Sequence, residues 1–332
     1  MILTRTPLRI SLCGGGSDLP VFYKRHSGCV ISTTIDKYVY LAMHDSFNPI
    51  EYILKYSIAE RVSQAKDIKH PIFRECLTSY DTVPVEITSM ADVPAGTGLG
   101  SSSSFTVGLL NLLRTYKNLE CNKDILARSA CEIEIEKLGE PIGKQDQYAA
   151  AFGGFNYYRF NRDGSVDVEP IRMRDEDKRT LESEFIVLYT GKTRKASDIL
   201  SEQGNNVLKG SNEDNQRSMC ALTDRMRKEM ECGNIDFVGK ALDEGWKLKK
   251  SLAKGISSEE LDEYYERAIR NGATGGKLLG AGGGGFLLFH APLKNHDSII
   301  KALPELKHMP ISFDEVGTAV IYNDKLNGKT GE

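Results

Sequence analysis

The chain has 332 residues, enough for one large or two ordinary domains, and its composition of 40% hydrophobic and 27% charged residues is typical of a soluble globular protein. A net charge of −3 gives no reason to expect nucleic acid or an anionic membrane as a partner. The sequence lacks a signal-peptide pattern and an apolar run near the ~20 residues of a membrane span. The seven cysteines include no Cys-x-x-Cys pair, so we expect reduced thiols and a cytoplasmic protein.

Short strands followed by helices in the first half predict an α+β architecture. A strand-like run at Leu8–Leu12 leads into the glycine-rich segment Gly14–Asp18. Cys29–Ile35 and Tyr38–Ala42 predict a hairpin that turns at residues 36–37. The elements predicted after these are a strand at 85–88, helices at 101–117 and 123–138, and a second hairpin over 155–171.

Glycine and serine dominate the segment Pro94–Ser103, which leads into the first predicted helix. Glycines let the main chain pass close to a ligand, and the free N–H groups of a helix N-terminus bind anions. The segment lacks the Gly-Lys-Ser/Thr ending of the Walker loop, and a tight turn is the alternative. Four consecutive serines favour a phosphate loop, because serine suits capping and metal contact better than a helix interior. The candidate loop residues are Pro94, Gly96, Gly98, Leu99, Gly100, Ser101, Ser102 and Ser103.

The helix predicted at 123–138 carries one carboxylate on its apolar side. Residues four apart form a ridge on a helix, and Glu134 shares its ridge with Leu126, Ala130 and Leu138. An inward carboxylate needs a partner, either an Arg or Lys side chain or a magnesium ion that bridges nucleotide phosphates. Downstream, the polar loop Gly143–Gln147 places Asp146 where it either caps the next helix or takes part in chemistry.

The second half contains a buried strand at 185–189, charge-patterned helical segments around 212–231, 235–253 and 258–271, and a last strand near 317–322. The segment Gly280–Gly285 fits the dinucleotide fingerprint Gly-x-Gly-x-x-Gly. That interpretation fails on context, because the apolar run Phe286–Phe289 after it is typical of a strand and not of a helix. Four glycines in a row nevertheless indicate close approach of a ligand or another backbone.

Three motifs in a fixed order make the chain resemble the GHMP small-molecule kinases, which include galactokinase, homoserine kinase and mevalonate kinase. The motifs are Arg5–Asp18, Pro94–Ser103 and Lys277–Phe286. The resemblance implies a two-domain GHMP kinase fold, with an N-terminal ribosomal protein S5 domain 2-like domain, a C-terminal ferredoxin-like domain and the active site in the cleft between them. We place the boundary in the charged stretch 173–184, which gives domains of residues 1–175 and 176–332.

The resemblance also implies an ATP-dependent phosphotransferase that uses Mg²⁺. At matching positions, Ser102 and Glu134 are the metal-binding residues. Asp146 is the catalytic base and Arg9 is its basic partner. Asp18 matches the aspartate that binds a sugar hydroxyl in galactokinase-like members.

Within this superfamily the first motif departs from the Gly-Glu-His-Thr-Asp of galactokinases. Together with Glu140–Tyr148 it is most similar to the D-glycero-D-manno-heptose 7-phosphate kinases. That similarity implies phosphorylation of the anomeric hydroxyl, giving heptose 1,7-bisphosphate for nucleotide-activated heptose and surface polysaccharide. The 7-phosphate needs cationic partners, for which the loop at 190–195 and Lys144 are candidates, although each loop cation fits a solvated turn equally well. The substrate-contact candidates are Gly15, Gly16, Asp18, Lys144, Lys192, Arg194, Lys195, Gly282 and Gly283.

Three other functions remain as alternatives. The first is an L-fucose kinase or another anomeric kinase of an unphosphorylated sugar. The others are a GHMP-type decarboxylase and a silent ligand-binding regulator, the latter disfavoured because a binder needs no base. We expect a small sugar phosphate and ATP as partners; a homodimer stays open.

Overall fold

The computed structural model describes residues 1–47, 49–193, 196–208 and 212–324, and the predicted substrate residues Arg194 and Lys195 lie outside them. The described residues form two sheets of nine and four strands, with helices packed against them, so the α+β class is confirmed. None of the described helices has the length and apolar character that a membrane crossing requires.

The strands are β1 Ile2–Cys13, β2 Gly28–Asp45, β3 Tyr52–Lys55, β4 Ala59–Val62, β5 Val85–Ala91, β6 Phe155–Phe160, β7 Val166–Pro170, β8 Phe185–Tyr189, β9 Gly275–Leu278, β10 Phe286–His290, β11 Lys307–His308, β12 Phe313–Asp314 and β13 Ala319–Asn323. The helices are α1 Pro20–His26, α2 Pro71–Ser79, α3 Ser101–Tyr116, α4 Lys123–Cys131, α5 Gln145–Phe152, α6 Asp175–Ser183, α7 Ala196–Leu208, α8 Glu213–Glu231, α9 Asp236–Lys250, α10 Glu259–Arg270 and α11 His296–Ala302.

The first sheet has the main order β13-β1-β2-β5-β3-β4, and its long strand β2 also pairs with β6 and β12. The hairpin predicted at 29–42 is wrong, because β2 runs through Asp36 and Lys37 without turning. On β1 the neighbouring residues Pro7 and Leu8 pair with Tyr38 and Ile35 of β2. Asp36 and Lys37 therefore have no partner on β1 and form a bulge in β2. A bulge places polar residues inside a strand without ending it, which is why they resembled a turn.

The second sheet has the order β11-β8-β10-β9 and is wholly antiparallel. The run after the glycine segment is the strand β10, as predicted. The last two strands leave this sheet and return to the first, where β12 pairs with β2 and β13 with β1. The division at residues 175/176 stays a prediction, and this return of the chain places residues 313–323 beside the first half.

Helix α3 begins at Ser101, as predicted, so the last three residues of the candidate loop form its first turn, and its central residues are buried against β1 and β2. The predicted helix at 123–138 is α4 followed by a π-helical segment, Glu132–Lys137. Asn122 caps α4, since its side chain accepts a hydrogen bond from the Ile125 N–H at 2.8 Å. π-Helical turns occur often at functional sites, and this one carries Glu134.

Candidate active site

Arg9 on β1 and Asp146 in the first turn of α5 form a two-bond ion pair. The guanidinium donates to both carboxylate oxygens, from Nε at 2.8 Å and from Nη2 at 2.9 Å. Its remaining nitrogen, Nη1, donates to the carbonyl of Gly98 at 2.6 Å. The Arg9 side chain is 6% exposed, whereas that of Asp146 is 27% exposed. The buried arginine therefore fixes the carboxylate against the glycine loop while leaving it open to a reactant.

Asp18 lies in the glycine turn that follows β1. Its carboxylate accepts hydrogen bonds from the main-chain N–H groups of Gly16 and Gln145, both at 3.1 Å. A Cβ at Gly143 would lie 1.9 Å from Asp18 Oδ2, so the carboxylate needs a glycine there. Burial raises the pKa of Asp18, and these two N–H donors oppose that rise. The turn thus brings Asp18 next to the residues that flank Asp146.

The candidate phosphate loop turns sharply at Gly96, Gly98 and Gly100, each with φ between 75° and 85°. Within the loop Thr97 donates to the carbonyl of Pro94 at 2.9 Å, and the carbonyl of Leu99 accepts from the main-chain N–H of Arg9 on β1 at 3.0 Å. Gly100 precedes α3 and provides no side-chain cap. The first N–H groups of α3, beginning at Ser101, are therefore available to an anion.

Glu134 is 2% exposed and surrounded by uncharged donors. Ser103 and Gln147 donate to one carboxylate oxygen at 2.8 and 2.6 Å, and Thr106 and Ser102 donate to the other at 3.0 and 3.3 Å. Burial raises the pKa of Glu134 to about 7, and the hydrogen bonds from Ser103, Gln147 and Thr106 lower it only in part. The helical ridge correctly predicted an inward carboxylate, and the described residues form no ion pair with it.

The donor set at Glu134 suits a hard cation. The described residues contain no group of three or more His, Cys, Asp and Glu side chains that could hold a metal by themselves. Mg²⁺ commonly uses one or two carboxylates and completes its shell with water and substrate phosphates. The carboxylate of Glu134, the Ser102 hydroxyl and the adjoining phosphate loop fit that habit.

The segment Gly280–Gly285 packs on the phosphate loop. A Cβ at Gly280 would lie 2.4 Å from the Cα of Gly98, so both positions require glycine for this approach. Gly283 donates its N–H to the carbonyl of Ile256 at 3.0 Å, and a Cβ at Gly282 would meet the Cα of Ile256 at 2.7 Å. The backbone approach predicted from the four glycines is present, and the approaching groups at Gly282 and Gly283 belong to the protein itself.

The cationic candidates for a distal phosphate lie apart from one another. Lys192 is exposed and forms an ion pair with Glu260. Lys144 donates to the carbonyl of Gly164, and its ammonium lies 5.3 Å from the ring centroid of Tyr23. Lys144 immediately precedes α5 and hence Asp146, whereas Lys192 lies beside the glycine segment. Their substrate roles stay predictions.

An aromatic cluster lies beside the first turns of α3. Tyr56, His70, Phe73 and Phe105 contact one another with ring centroids 4.8 to 5.9 Å apart. Phe105 belongs to the first turns of α3, so the cluster adjoins the phosphate loop. Glu60 accepts hydrogen bonds from the Tyr56 hydroxyl and the main-chain N–H groups at 69 and 70, which gives it a structural role here.

Sequence reasoning missed several polar side chains of the site. Gln203 on α7 and Gln216 on α8 are buried beside the glycine turn, and Gln216 donates to the carbonyl of Gly15 at 3.3 Å. Lys249 on α9 and Lys277 on β9 are buried near Arg9. Helices α8 and α9 lie in predicted charge-patterned segments, and nothing in that pattern separates an inward glutamine or lysine from a solvated one; helix α7, with Gln203, was not predicted. Only Lys277 carried a signal, as a lone charge inside a short glycine and leucine run.

Comparison with known proteins decides the family. The description "GHMP kinases N terminal domain" matches residues 62–154, and "GHMP kinases C terminal" matches residues 226–308. The D-glycero-alpha-D-manno-heptose 7-phosphate kinase of Campylobacter jejuni is 32% identical over 91% of this chain and 93% of its own length. The chain belongs to the GHMP kinases.

Other relatives of this GHMP kinase extend the comparison. The bifunctional fucokinase/GDP-fucose pyrophosphorylase of Arabidopsis thaliana is 26% identical over 86% of this chain, which spans 29% of that longer protein. The crystal structure of a D-glycero-D-manno-heptose 1-phosphate kinase from Bacteroides thetaiotaomicron superposes with a TM-score of 0.79. It is 25% identical and covers 97% of this chain and all of its own. The fold, the family and its ATP-dependent phosphotransfer to sugars, expected from the three motifs, are thereby confirmed.

Proposed function

We propose that this GHMP kinase transfers the γ-phosphoryl group of ATP to the anomeric hydroxyl of D-glycero-D-manno-heptose 7-phosphate. The product would be the 1,7-bisphosphate, a precursor of nucleotide-activated heptose for surface polysaccharide. The observation that carries the proposal is the Arg9–Asp146 pair, which is anchored to Gly98 of the phosphate loop and lies one residue from a main-chain donor to Asp18.

The arrangement supports transfer assisted by a base. The anomeric oxygen attacks the γ-phosphorus, the bond from that phosphorus to the bridging oxygen breaks, and ADP leaves with the bond's electron pair. The hydroxyl proton passes to the exposed carboxylate of Asp146 and then to solvent. Arg9 fixes the orientation of that carboxylate and keeps positive charge beside the transferring group. Asp18 accepts a hydrogen bond from a second sugar hydroxyl and so orients the ring.

Magnesium would be held by Glu134 and Ser102 together with the nucleotide phosphates. When bound, it would neutralise phosphate charge, which is the main demand of phosphoryl transfer. The described residues contribute the surrounding shell, since Ser103, Thr106 and Gln147 fix the Glu134 carboxylate. The loop residues from Pro94 to Ser103 would cradle the triphosphate with main-chain N–H groups and hydroxyls.

The heptose assignment rests on the Campylobacter relative and on the sequence of the glycine turn. Gly15 in the glycine turn has room at its Cβ position, which suits a bulky seven-carbon sugar, whereas a Cβ at Gly14 or Gly16 would lie 1.9 Å from the Cys29 carbonyl oxygen or from Gln203 Nε2. Gly15, Gly16 and Asp18 would then contact the sugar. Lys144, two residues before Asp146 in the sequence, would bind its 7-phosphate. We further propose a sugar phosphate and ATP as the small-molecule partners, a cytoplasmic location and the two-domain division at residues 175/176.

The test is ADP release from Mg-ATP with D-glycero-D-manno-heptose 7-phosphate, the unphosphorylated heptose and L-fucose in parallel. Phosphorus NMR of the product locates the new phosphate. We expect turnover with the 7-phosphate and a new anomeric phosphate signal. Turnover with L-fucose or the free heptose alone would contradict the heptose proposal and favour a kinase of an unphosphorylated sugar, for which the Arabidopsis relative is the precedent.

An Asp146→Asn variant tests the base. We expect kcat to fall by about 10²- to 10⁴-fold with little change in the affinity for ATP, because the substitution removes the proton acceptor and the ion pair with Arg9 but no group proposed to hold the nucleotide. Asp167→Asn is the matched control, since Asp167 is an exposed carboxylate on β7 whose partner is Asn161. If Asp146→Asn retained most of the activity, the kinase assignment would stand but Asp146 would not be the catalytic base.

A further inference from the structure

Two lysines of the second half are buried without a carboxylate. Lys249 is 8% exposed and Lys277 is 6% exposed, and neither makes an ion pair with any carboxylate that the structure describes. The charged groups that act on Lys249 are Lys277 and Arg9, both cations, and those that act on Lys277 are Arg9 and the Cys13 thiol. A buried charge without a partner of opposite sign is costly, so this arrangement calls for an explanation.

The hydrogen bonds of the two ammonium groups are incomplete. Lys277 donates to the carbonyl of Leu12 at 3.1 Å, and Lys249 donates to the carbonyls of Leu278 and Gly280. An ammonium has three donors, so these contacts leave two donors on Lys277 and one on Lys249. Burial lowers the pKa of Lys277 to about 8, with the Cys13 thiol opposing and Arg9 acting in the same direction, and burial, Lys277 and Arg9 together lower the pKa of Lys249. Both groups therefore have donors and charge to offer to an anion.

The position of the pair connects it with the transfer site. Leu12 is the penultimate residue of the strand that carries Arg9, directly before the glycine turn of Asp18. Gly280 lies against Gly98 of the phosphate loop, whose carbonyl is the acceptor for Arg9. The two lysines thus lie between the glycine turn of Asp18 and the segment Gly280–Gly285, which packs on the phosphate loop.

We propose that Lys249 and Lys277, with Arg9, form a cationic site that binds a phosphoryl group. The group is either the terminal phosphate of the nucleotide or the phosphate ester of the acceptor, and the same chemistry serves both. A bound phosphoryl group would neutralise the buried positive charge of the two lysines. The lysines would in turn stabilise the negative charge of that group during the transfer. The inference rests on the proposed function only for the location of the transfer site beside Arg9.

A purely structural role is the competing explanation. The two lysines would then only fasten the main chain at Leu12, Leu278 and Gly280, and a neutral donor would serve as well. Glutamine at either position keeps an N–H donor for these carbonyls and removes the charge. Lys249→Gln and Lys277→Gln therefore separate the two explanations, with Met variants as a second pair should a Gln variant fail to fold.

The experiment compares two affinity ratios within each variant. One is the ratio of the dissociation constants of ADP and a non-hydrolysable ATP analogue. The other is that of free heptose and heptose 7-phosphate. Trp246, the chain's single tryptophan, reports binding, because the Lys249 ammonium lies 6.0 Å from its ring centroid. A ratio taken within one variant is insensitive to a general change in stability.

We expect one of the two ratios to fall by about ten- to a hundredfold in the Gln variants, as for a lost hydrogen bond to a charged group. A change in the nucleotide ratio alone identifies the terminal phosphate, and a change in the sugar ratio alone identifies the acceptor's ester. Lys250→Gln is the matched control, because Lys250 is 5.8 Å from the same ring but is paired with Asp262.

Two results would overturn the inference. One is a double Lys249→Gln, Lys277→Gln variant in which both ratios stay within about twofold of the wild type. The other is an equal change in Lys250→Gln, which would indicate a general electrostatic effect. The nucleotide ratio needs no sugar, so failure of the heptose assignment leaves this test valid and the two failures remain distinguishable.

Discussion

Two buried charge centres flank the phosphate loop, and they are built in opposite ways. Glu134 is an anion whose oxygens receive four hydrogen bonds from uncharged side chains. Lys249 and Lys277 carry ammonium groups whose described hydrogen bonds go to main-chain carbonyls and leave donors free. The carboxylate is therefore held in place before any cation arrives, whereas the lysines still have bonds to make. This difference is what a rigid metal ligand and an adaptable phosphoryl site require.

The largest effect is expected at the anionic centre. Glu134→Gln removes the charge that would face Mg²⁺ and keeps the size of the side chain. We expect kcat to fall by about a hundredfold or more, because phosphoryl transfer depends on metal neutralisation of the phosphates. Steady-state kinetics over a range of Mg²⁺ concentrations measures this fall in kcat. Glu136→Gln, an exposed neighbour on the same segment, is the control, and equal losses in both variants would break the comparison.

At the cationic centre, activity and stability should respond to pH in opposite directions. The pKa of Lys277 is lowered to about 8 by burial, with Arg9 acting in the same sense and the Cys13 thiol opposing; Lys249 is the other titratable neighbour. Unfolded lysines keep their protons to about pH 10.4, so from about pH 8 upward the unfolded chain binds more protons than the folded one. The free energy of unfolding, compared with Lys277→Met, should therefore rise with pH above about 8.

Activity should fall over the same pH range, because the neutral amine no longer attracts a phosphoryl group. Lys277→Arg keeps the charge at alkaline pH and should move the loss of kcat/KM to higher pH. Chemical denaturation and initial rates from pH 7 to about 9.5 measure both trends. A wild-type profile of kcat/KM that Lys277→Arg leaves unchanged would contradict a charged role for this lysine.

A smaller effect distinguishes two neighbouring serines of the anionic centre. Ser102 and Ser103 both donate to Glu134, at 3.3 and 2.8 Å, but only Ser102 is a proposed metal ligand. We expect Ser102→Ala to raise the Mg²⁺ concentration needed for half-maximal activity by about three- to tenfold, and Ser103→Ala to leave it nearly unchanged. A larger effect of Ser103→Ala than of Ser102→Ala would instead place the metal at the Glu134 oxygen that accepts from Ser103.

The smallest effect should be confined to stability. Asn122→Ala removes the N-cap of α4, the helix that continues into the π-helical segment of Glu134. A lost cap costs about 1 kcal/mol, so the unfolding midpoint should drop while kcat stays unchanged. A matching fall in kcat would mean that the end of α4 and not the local hydrogen bonds positions the carboxylate.

The sequence predicted the anionic centre because its signal is local. Glu134 stands on an apolar helical ridge, and serines at a helix start mark the loop beside it. The π-helical turn does not disturb that ridge enough to expose the carboxylate, which is 2% exposed. Arg9 and Asp146 were paired only through a resemblance, since no local pattern joins residues so far apart in the chain.

The cationic centre escaped prediction because its signal is non-local. Whether Lys249 points inward depends on how α9 packs on β9 and on the glycine segment, which helical periodicity does not determine. The bulge at Asp36 and Lys37 escaped for a similar reason, since pairing with β1 keeps β2 extended through two polar residues. The return of β12 and β13 to the first sheet is likewise a tertiary choice of strand partner.

The most direct test is a crystal structure of the wild-type protein with Mg²⁺, a non-hydrolysable ATP analogue and heptose 7-phosphate. We expect a cation at Glu134 and Ser102, the anomeric hydroxyl within hydrogen-bond distance of Asp146, and a phosphate oxygen at the ammonium of Lys249 or Lys277. A sugar whose anomeric hydroxyl lies away from Asp146, or phosphates that leave both lysines without an anion, would contradict this account.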